Sequence, residues 1–171
     1  MPDLDARLAA LSRGRRARSV APPLAFDWRA VCPVPRFSFG VPFPWEPAPA
    51  ALFDGEDSVV ELFVRRADGQ VPTLTIWFEE DGPDITTADA GPLVQQIANT
   101  AQARYLGPWR VLLAGARADV FVFRSASEVL LQLVVNHGNG LLQGQIRLPV
   151  AAAPGYLYHV ETMLGTWDWG P

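Results

Sequence analysis

The sequence predicts an α+β domain: a mainly antiparallel sheet of about six strands sandwiched by helices and preceded by an extended N-terminal arm. Three observations predict it. From residue 36 onward, several runs alternate apolar and polar side chains at the period of a half-buried strand. One amphipathic stretch separates the early strand runs from the later ones. The chain then closes on an aromatic-rich helical stretch ending in Trp167-Asp168-Trp169.

Residues 3–12 read as a short helix with Leu4, Leu8 and Leu11 on one face. A helix of this length rarely persists in water without packing. Residues 13–35 are first arginine-rich, then proline-rich, with Pro22, Pro23, Pro33 and Pro35. Proline removes backbone donors and disfavours helix before it, so this stretch reads as an extended strap. Its Leu24, Phe26, Trp28 and Val31 are too apolar for a free linker. Residues 1–35 are therefore assigned to the arm and residues 36–171 to the domain. The expectation is that residues 24–35 lie against the body, while residues 1–20 order only against another chain.

The body begins with Phe37, Phe39 and Val41 as a first strand, ended by Pro42-Phe43-Pro44-Trp45. Asp54-Gly55-Glu56-Asp57 is a polar loop. Ser58–Arg66 and Thr73–Phe78 read as strands joined by a turn at Asp68-Gly69. An acidic loop, Glu79–Asp84, leads to the main helix. Pro92 suits its first position, Leu93, Ile97, Ala101 and Tyr105 form its buried stripe, and Gly107-Pro108 is its stop signal. Trp109–Leu113, Asp119–Arg124, Val129–Asn136 and Leu141–Leu148 follow as strands, with a turn at Gly138-Asn139-Gly140. Both alternating sets of Val129–Val135 are apolar, which predicts a strand covered on both faces. The last helix spans about residues 154–166 and aligns Tyr156, Val160, Met163, Leu164 and Trp167.

Composition bounds the function classes. A chain of 171 residues, 49% hydrophobic and 19% charged, suits one globular domain plus a tail. All 14 basic residues are arginine. Within residues 1–24, five arginines stand against two aspartates, and the remaining body carries a net −7. An acidic body argues against nucleic acid as the main partner, because phosphate neutralisation supplies most of that affinity. Cys32 is the only cysteine, so no internal disulfide is possible. There is no signal-peptide core and no apolar segment of the ~18–20 residues that span a bilayer. These features predict a soluble, cytoplasmic protein.

Three pieces carry a resemblance to a known superfamily. Phe37-Ser-Phe-Gly-Val-Pro-Phe-Pro-Trp45 is a strand followed by proline and tryptophan. Ala114-Gly-Ala-Arg-Ala118 is a small-residue turn into two apolar strands. Tyr156–Trp167, with Val160-Glu-Thr-Met-Leu-Gly-Thr-Trp, is a closing helix with an aromatic just beyond it. Together they resemble the Mog1/PsbP-like superfamily, which includes the DUF1795 and LpqN-type proteins, over roughly three quarters of the chain. The resemblance implies an antiparallel sheet sandwiched by helices. It also implies a non-enzymatic task, since members typically bind other proteins as adaptors, assembly factors or secretion chaperones. The basic, proline-rich arm is not part of that pattern.

The chain offers little chemistry. His137 sits in a hairpin turn and His159 on the last helix, two residues from Glu161, so neither has a local orienting acid. Cys32 lacks an adjacent base and reads as a small buried hydrophobe. Two histidines and one cysteine far apart do not make a zinc site. Glu79–Asp84 lacks the alternating ligands of a calcium loop. No phosphate-binding glycine loop is present. The expectation is no enzyme, no metal and no cofactor. The function that the resemblance implies is a non-enzymatic protein-binding adaptor or chaperone serving a secretion system or large assembly. Alternatives are a structural component of a multi-subunit assembly, or a small-molecule or lipid-binding domain with a pocket between sheet and helix. A protein partner is expected, no membrane span, and a homo-oligomer is open. The candidate protein-binding residues are Leu4, Leu8, Leu11, Arg15, Arg16, Arg18, Trp28 and Trp169.

Overall fold

The structure, a computed structural model, describes residues 3–49, 58–83, 85, 89–138 and 140–170. Three helices are found among them: α1 (Leu4–Leu11), α2 (Gly91–Ala101) and α3 (Ala153–Gly165). The strands are β1 (Arg18–Ser19), β2 (Trp28–Cys32), β3 (Phe37–Val41), β4 (Glu46–Pro47), β5 (Ser58–Phe63), β6 (Thr73–Glu80), β7 (Arg104–Leu113), β8 (Ala116–Arg124), β9 (Glu128–His137) and β10 (Gly140–Pro149). The main sheet has the order β1-β7-β8-β9-β10-β6-β5-β4, and β2 and β3 pair separately. Every pairing is antiparallel except β1 with β7, which is parallel.

The α+β class and the mainly antiparallel sheet are as the sequence predicts, but the main sheet has eight strands rather than about six. The two edge strands, β1 and β4, are two residues long. Such short pieces carry no readable alternation. Phe37–Val41 is a strand as expected, but it belongs to the side pair, matched with Trp28–Cys32 of the strap.

The main helix is also shorter than the expected 92–106. It ends at Ala101, where Gln102 takes a left-handed conformation (φ 49°, ψ 46°) and donates its N–H back to the last turn. Tyr105, expected on the helix stripe, lies in β7 with its ring 5.3 Å from Phe123 and 6.2 Å from Phe121. A cross-strand aromatic group of this kind outweighs one more helical turn. Gly107 is therefore no helix stop: at φ 121° it follows a bulge in the β7–β8 pairing.

The sheet is covered on both faces. Val129, Leu131, Leu133 and Val135 of β9 join the larger core with α3, β2 and β3, while Leu130 and Val134 join the smaller core under α2. On the larger face Phe37 and Phe39 stack on Trp167, at 4.9 and 5.2 Å. Leu157, Val160, Met163 and Leu164 of α3 complete that layer.

The N-terminal segment departs most from expectation. Asp3 caps α1 by accepting from the Ala6 N–H at 2.7 Å. Leu8 is fully buried in the larger core, with Leu4 and Leu11 packed beside it. Arg7 donates to the Pro154 carbonyl at 2.7 Å and pairs with Glu161 at 3.2 Å, while Arg124 pairs with Asp5 at 3.0 Å. Farther on, the Val20 carbonyl and Pro22 pass so close to Gly165 that a Cβ there would collide with them. Residues 3–20 thus order against their own body, not only against another chain. Burying one large apolar side chain is worth ~1.5–3 kcal/mol, and the domain offers Leu8 a seat that the sequence does not reveal. The strap of residues 24–35 lies along the body: the Leu24 N–H donates to Thr162 Oγ1 at 3.1 Å and the Phe26 ring rests on Gly40.

Candidate functional site

Three surface features could bind something, and each is built by a different part of the fold. The first is apolar. Leu24, Phe26, Val31, Val34 and Phe43 are exposed large hydrophobics, all within residues 24–43, and Tyr158 is the other one among the described residues. Prolines explain the exposure. Val34 sits between Pro33 and Pro35, and Phe43 between Pro42 and Pro44, so neither stretch can turn inward as regular structure. Val31 points away because the alternate residues of β2, Ala30 and Cys32, take the inward positions. Val34 and Phe43 are the most open, at 77% and 81%.

The second is a cleft of about 480 Å³ between the N-terminal segment and β7. Arg13, Arg16, Arg18 and Arg110 line it, with Leu11, Trp109 and Glu161 among the other lining residues. Arg110 donates to the Gly14 carbonyl at 3.2 Å and so ties the segment to the sheet.

The third is a cavity of about 280 Å³ between α2 and the sheet. Trp77, Leu93, Ile97 and Leu130 supply its apolar walls. Its floor is a chain of amides: Gln145 donates to Gln132 at 3.3 Å, and Gln132 donates to Gln143 at 3.1 Å. Gln132 is only 2% exposed, so these mutual bonds offset the cost of burying its amide.

The eight sequence-predicted binding residues divide into three groups. Leu4, Leu8 and Leu11 face the body, and Leu8 is fully buried. Trp28 and Trp169 are half-buried, and Trp169 donates its indole N–H to the Leu113 carbonyl at 2.6 Å while stacking on His137 at 4.0 Å. Arg15, Arg16 and Arg18 are exposed. Arg16 and Arg18 line the cleft together with Arg13 of the same arginine run and with Arg110, which the sequence did not single out. Arg110 has no sequence signal linking it to the arm, because the link is made by β1 pairing. Val34 and Phe43 did have one: an apolar residue held between two prolines.

The titratable groups with catalytic potential are placed otherwise. Cys32 is buried, and that burial pushes its thiol upward, with a smaller opposing effect from a backbone hydrogen bond of Val34. His159 packs against Tyr156 at 4.9 Å, and burial holds its imidazole below its ordinary value. Its Nδ1 has no hydrogen-bond partner among the described residues. Tyr105 is raised, first by burial and then by Asp119. Among the described residues no group of three or more His, Cys, Asp or Glu side chains could hold a metal ion. Asp84 and the loop 54–57 lie outside the described residues. No described helix is long and apolar enough to cross a membrane.

No protein-family model matches the sequence, and no curated protein matches it significantly. Solved structures do. PsbP (CyanoP) from Synechocystis sp. PCC 6803 superposes with a TM-score of 0.59 at 13% identity, over 82% of this chain and 91% of that one. PA94 of Pseudomonas aeruginosa, a protein of unknown function, gives 0.53 at 13%, over 86% and 99%. LpqN of Mycobacterium tuberculosis, involved in cell envelope biogenesis, gives 0.52 at 12%, over 78% and 82%. At these identities the likeness is one of fold. The superpositions therefore show that this chain has the Mog1/PsbP-like fold.

Proposed function

We propose that this chain is a non-enzymatic protein-binding module, an adaptor or chaperone for a larger assembly. One observation carries the reading: exposed large apolar side chains are concentrated in residues 24–43, on the strap and the β2–β3 pair. Contiguous apolar exposure marks interaction surfaces, and large hydrophobics flanked by rigid proline lose little entropy when covered. CyanoP and LpqN are compatible with a non-enzymatic role. In this reading Trp28 is a half-buried anchor on the same segment, and the exposed Arg15, Arg16 and Arg18 supply charge. The proposal places the protein in a reducing compartment such as the cytoplasm, where the buried Cys32 stays a free thiol.

The test is capture of a partner from the native host by cross-linking and mass spectrometry, with Val34→Ser/Phe43→Ser as the comparison bait. Both side chains are exposed, so the variant is expected to fold and to lose the partner. Equal capture by both baits would overturn the role given to this surface. A second reading, small-molecule binding, is favoured by the amide-floored cavity under α2. Native mass spectrometry of protein purified from the host separates the two: a stoichiometric copurified ligand lost in Gln132→Leu would support it.

A further inference from the structure

We infer that the arginine-lined cleft between the N-terminal segment and β7 receives an acidic, extended peptide segment of the partner protein. The inference rests on the protein-binding reading and names the chemistry that the cleft recognises.

Charge is the first argument. Arg13, Arg16, Arg18 and Arg110 line the cleft, and Glu161 is its acidic residue. Glu161 is already engaged by Arg7 at 3.2 Å. Ion pairs among the described residues engage Arg7, Arg65, Arg66, Arg124 and Arg147, and none of these arginines lines the cleft. The body carries a net −7, yet among the described residues none of these ion pairs engages Arg13, Arg16 or Arg18, while Arg110 is held by the Gly14 carbonyl. A guanidinium presents a rigid fork of donors that fits a carboxylate with two parallel bonds.

Shape is the second. β1 is the outer strand of the main sheet and pairs only with β7, through Arg18 with Val111 and Ser19 with Leu112. Among the described residues no strand pairs with its other edge, and Arg18 and Ser19 of β1 themselves line the cleft. An extended peptide can add to such an edge, with main-chain bonds giving affinity and its side chains giving specificity. A small anion has no use for that edge. The cleft, at about 480 Å³, is also roomier than one tetrahedral anion needs.

Other occupants fit less well. A lipid surface would need an apolar face next to the basic one, but the Leu4, Leu8 and Leu11 stripe is turned into the core. A nucleic acid would be repelled by the acidic body.

The test is fluorescence anisotropy with a labelled ten-residue peptide of alternating Glu and Ser, against the same peptide with Gln for Glu. The full chain is compared with Arg13→Gln/Arg16→Gln/Arg18→Gln. The Glu peptide is expected to bind the wild type, the Gln peptide to bind at least tenfold more weakly, and the triple variant to lose at least tenfold in affinity at unchanged melting temperature. Binding should weaken as salt is raised, and the Ser19 and Val20 amides should gain hydrogen-exchange protection. Four results would overturn the inference: no binding, equal binding of the Gln peptide, an unaffected triple variant, or full displacement by inorganic phosphate at lower concentration than the peptide. Salt-sensitive dimerisation that excludes the peptide would assign the cleft to a second copy instead. If the triple variant still captures the host partner that the Val34/Phe43 variant loses, the cleft inference fails and the protein-binding reading stands. If neither wild type nor variants capture a partner, that reading itself fails.

Discussion

Cys32 and His159 show how a side chain loses its usual chemistry when the fold takes it from water. The Cys32 thiol is 1% exposed and its pKa is raised by burial, so the nucleophilic thiolate is disfavoured near neutral pH. A disulfide-type thiol reagent is expected to leave native protein unmodified and to react fully once the chain is denatured; fast native labelling would contradict the burial. His159 has the opposite sign of dependence. Its folded pKa lies below the ordinary 6.5, because burial penalises the imidazolium. The unfolded chain therefore takes up the proton first, so stability falls as pH drops below about 6.5 and levels off below the folded value. Melting temperature is expected to decline from pH 7.5 to pH 5, and less steeply in His159→Gln. Identical slopes would show that other groups carry the acid sensitivity.

At the scale of elements, α1 and the residues after it form a clasp rather than a free arm. Its grip is Leu8 in the core, Arg7 on the Pro154 carbonyl and on Glu161, and the parallel β1–β7 pair. Leu8→Ala is expected to cost about 2–5 kcal/mol in chemical denaturation, the range for a fully buried leucine. An effect near zero would mean the helix is not seated. Gly165 is the closest approach on the α3 side, where added volume meets the Val20 carbonyl. Gly165→Val is expected to lift residues 18–22 and to destabilise by about 1–3 kcal/mol, with increased amide exchange confined to that segment. Uniformly increased exchange would place the damage in α3 instead.

At the scale of the molecule, the clasp and the strap wrap a sheet whose two faces are separately cored. Deleting residues 1–21 removes β1 and exposes the edge of β7 together with the seat of Leu8. The truncated chain is expected to unfold at lower denaturant with a smaller dependence on denaturant concentration, because less surface is exposed on unfolding. It is also expected to associate through its new edge, which sedimentation would detect. An unchanged midpoint would mean that the segment adds no stability to the domain.

The sequence by itself determined the elements that have length and periodicity. The apolar run from Val129 to Val135 specified a strand buried on both sides, and Tyr156 to Trp167 specified a helix closing over a core. The closing helix, with the Phe37–Trp45 opening and the small-residue turn Ala114–Ala118, carried the resemblance to the Mog1/PsbP-like fold. Tertiary structure decided the rest, because those choices are set between segments distant in the chain. A two-residue strand such as β1 has no pattern of its own and exists through β7. Tyr105 was claimed by Phe121 and Phe123 across the sheet, not by the helix before it. The binding surfaces divide in the same way. The proline-flanked Val34 and Phe43 are visible to a reader of the sequence. The meeting of Arg13, Arg16 and Arg18 with Arg110, nearly a hundred residues away, is made by a backbone pairing that no local propensity encodes.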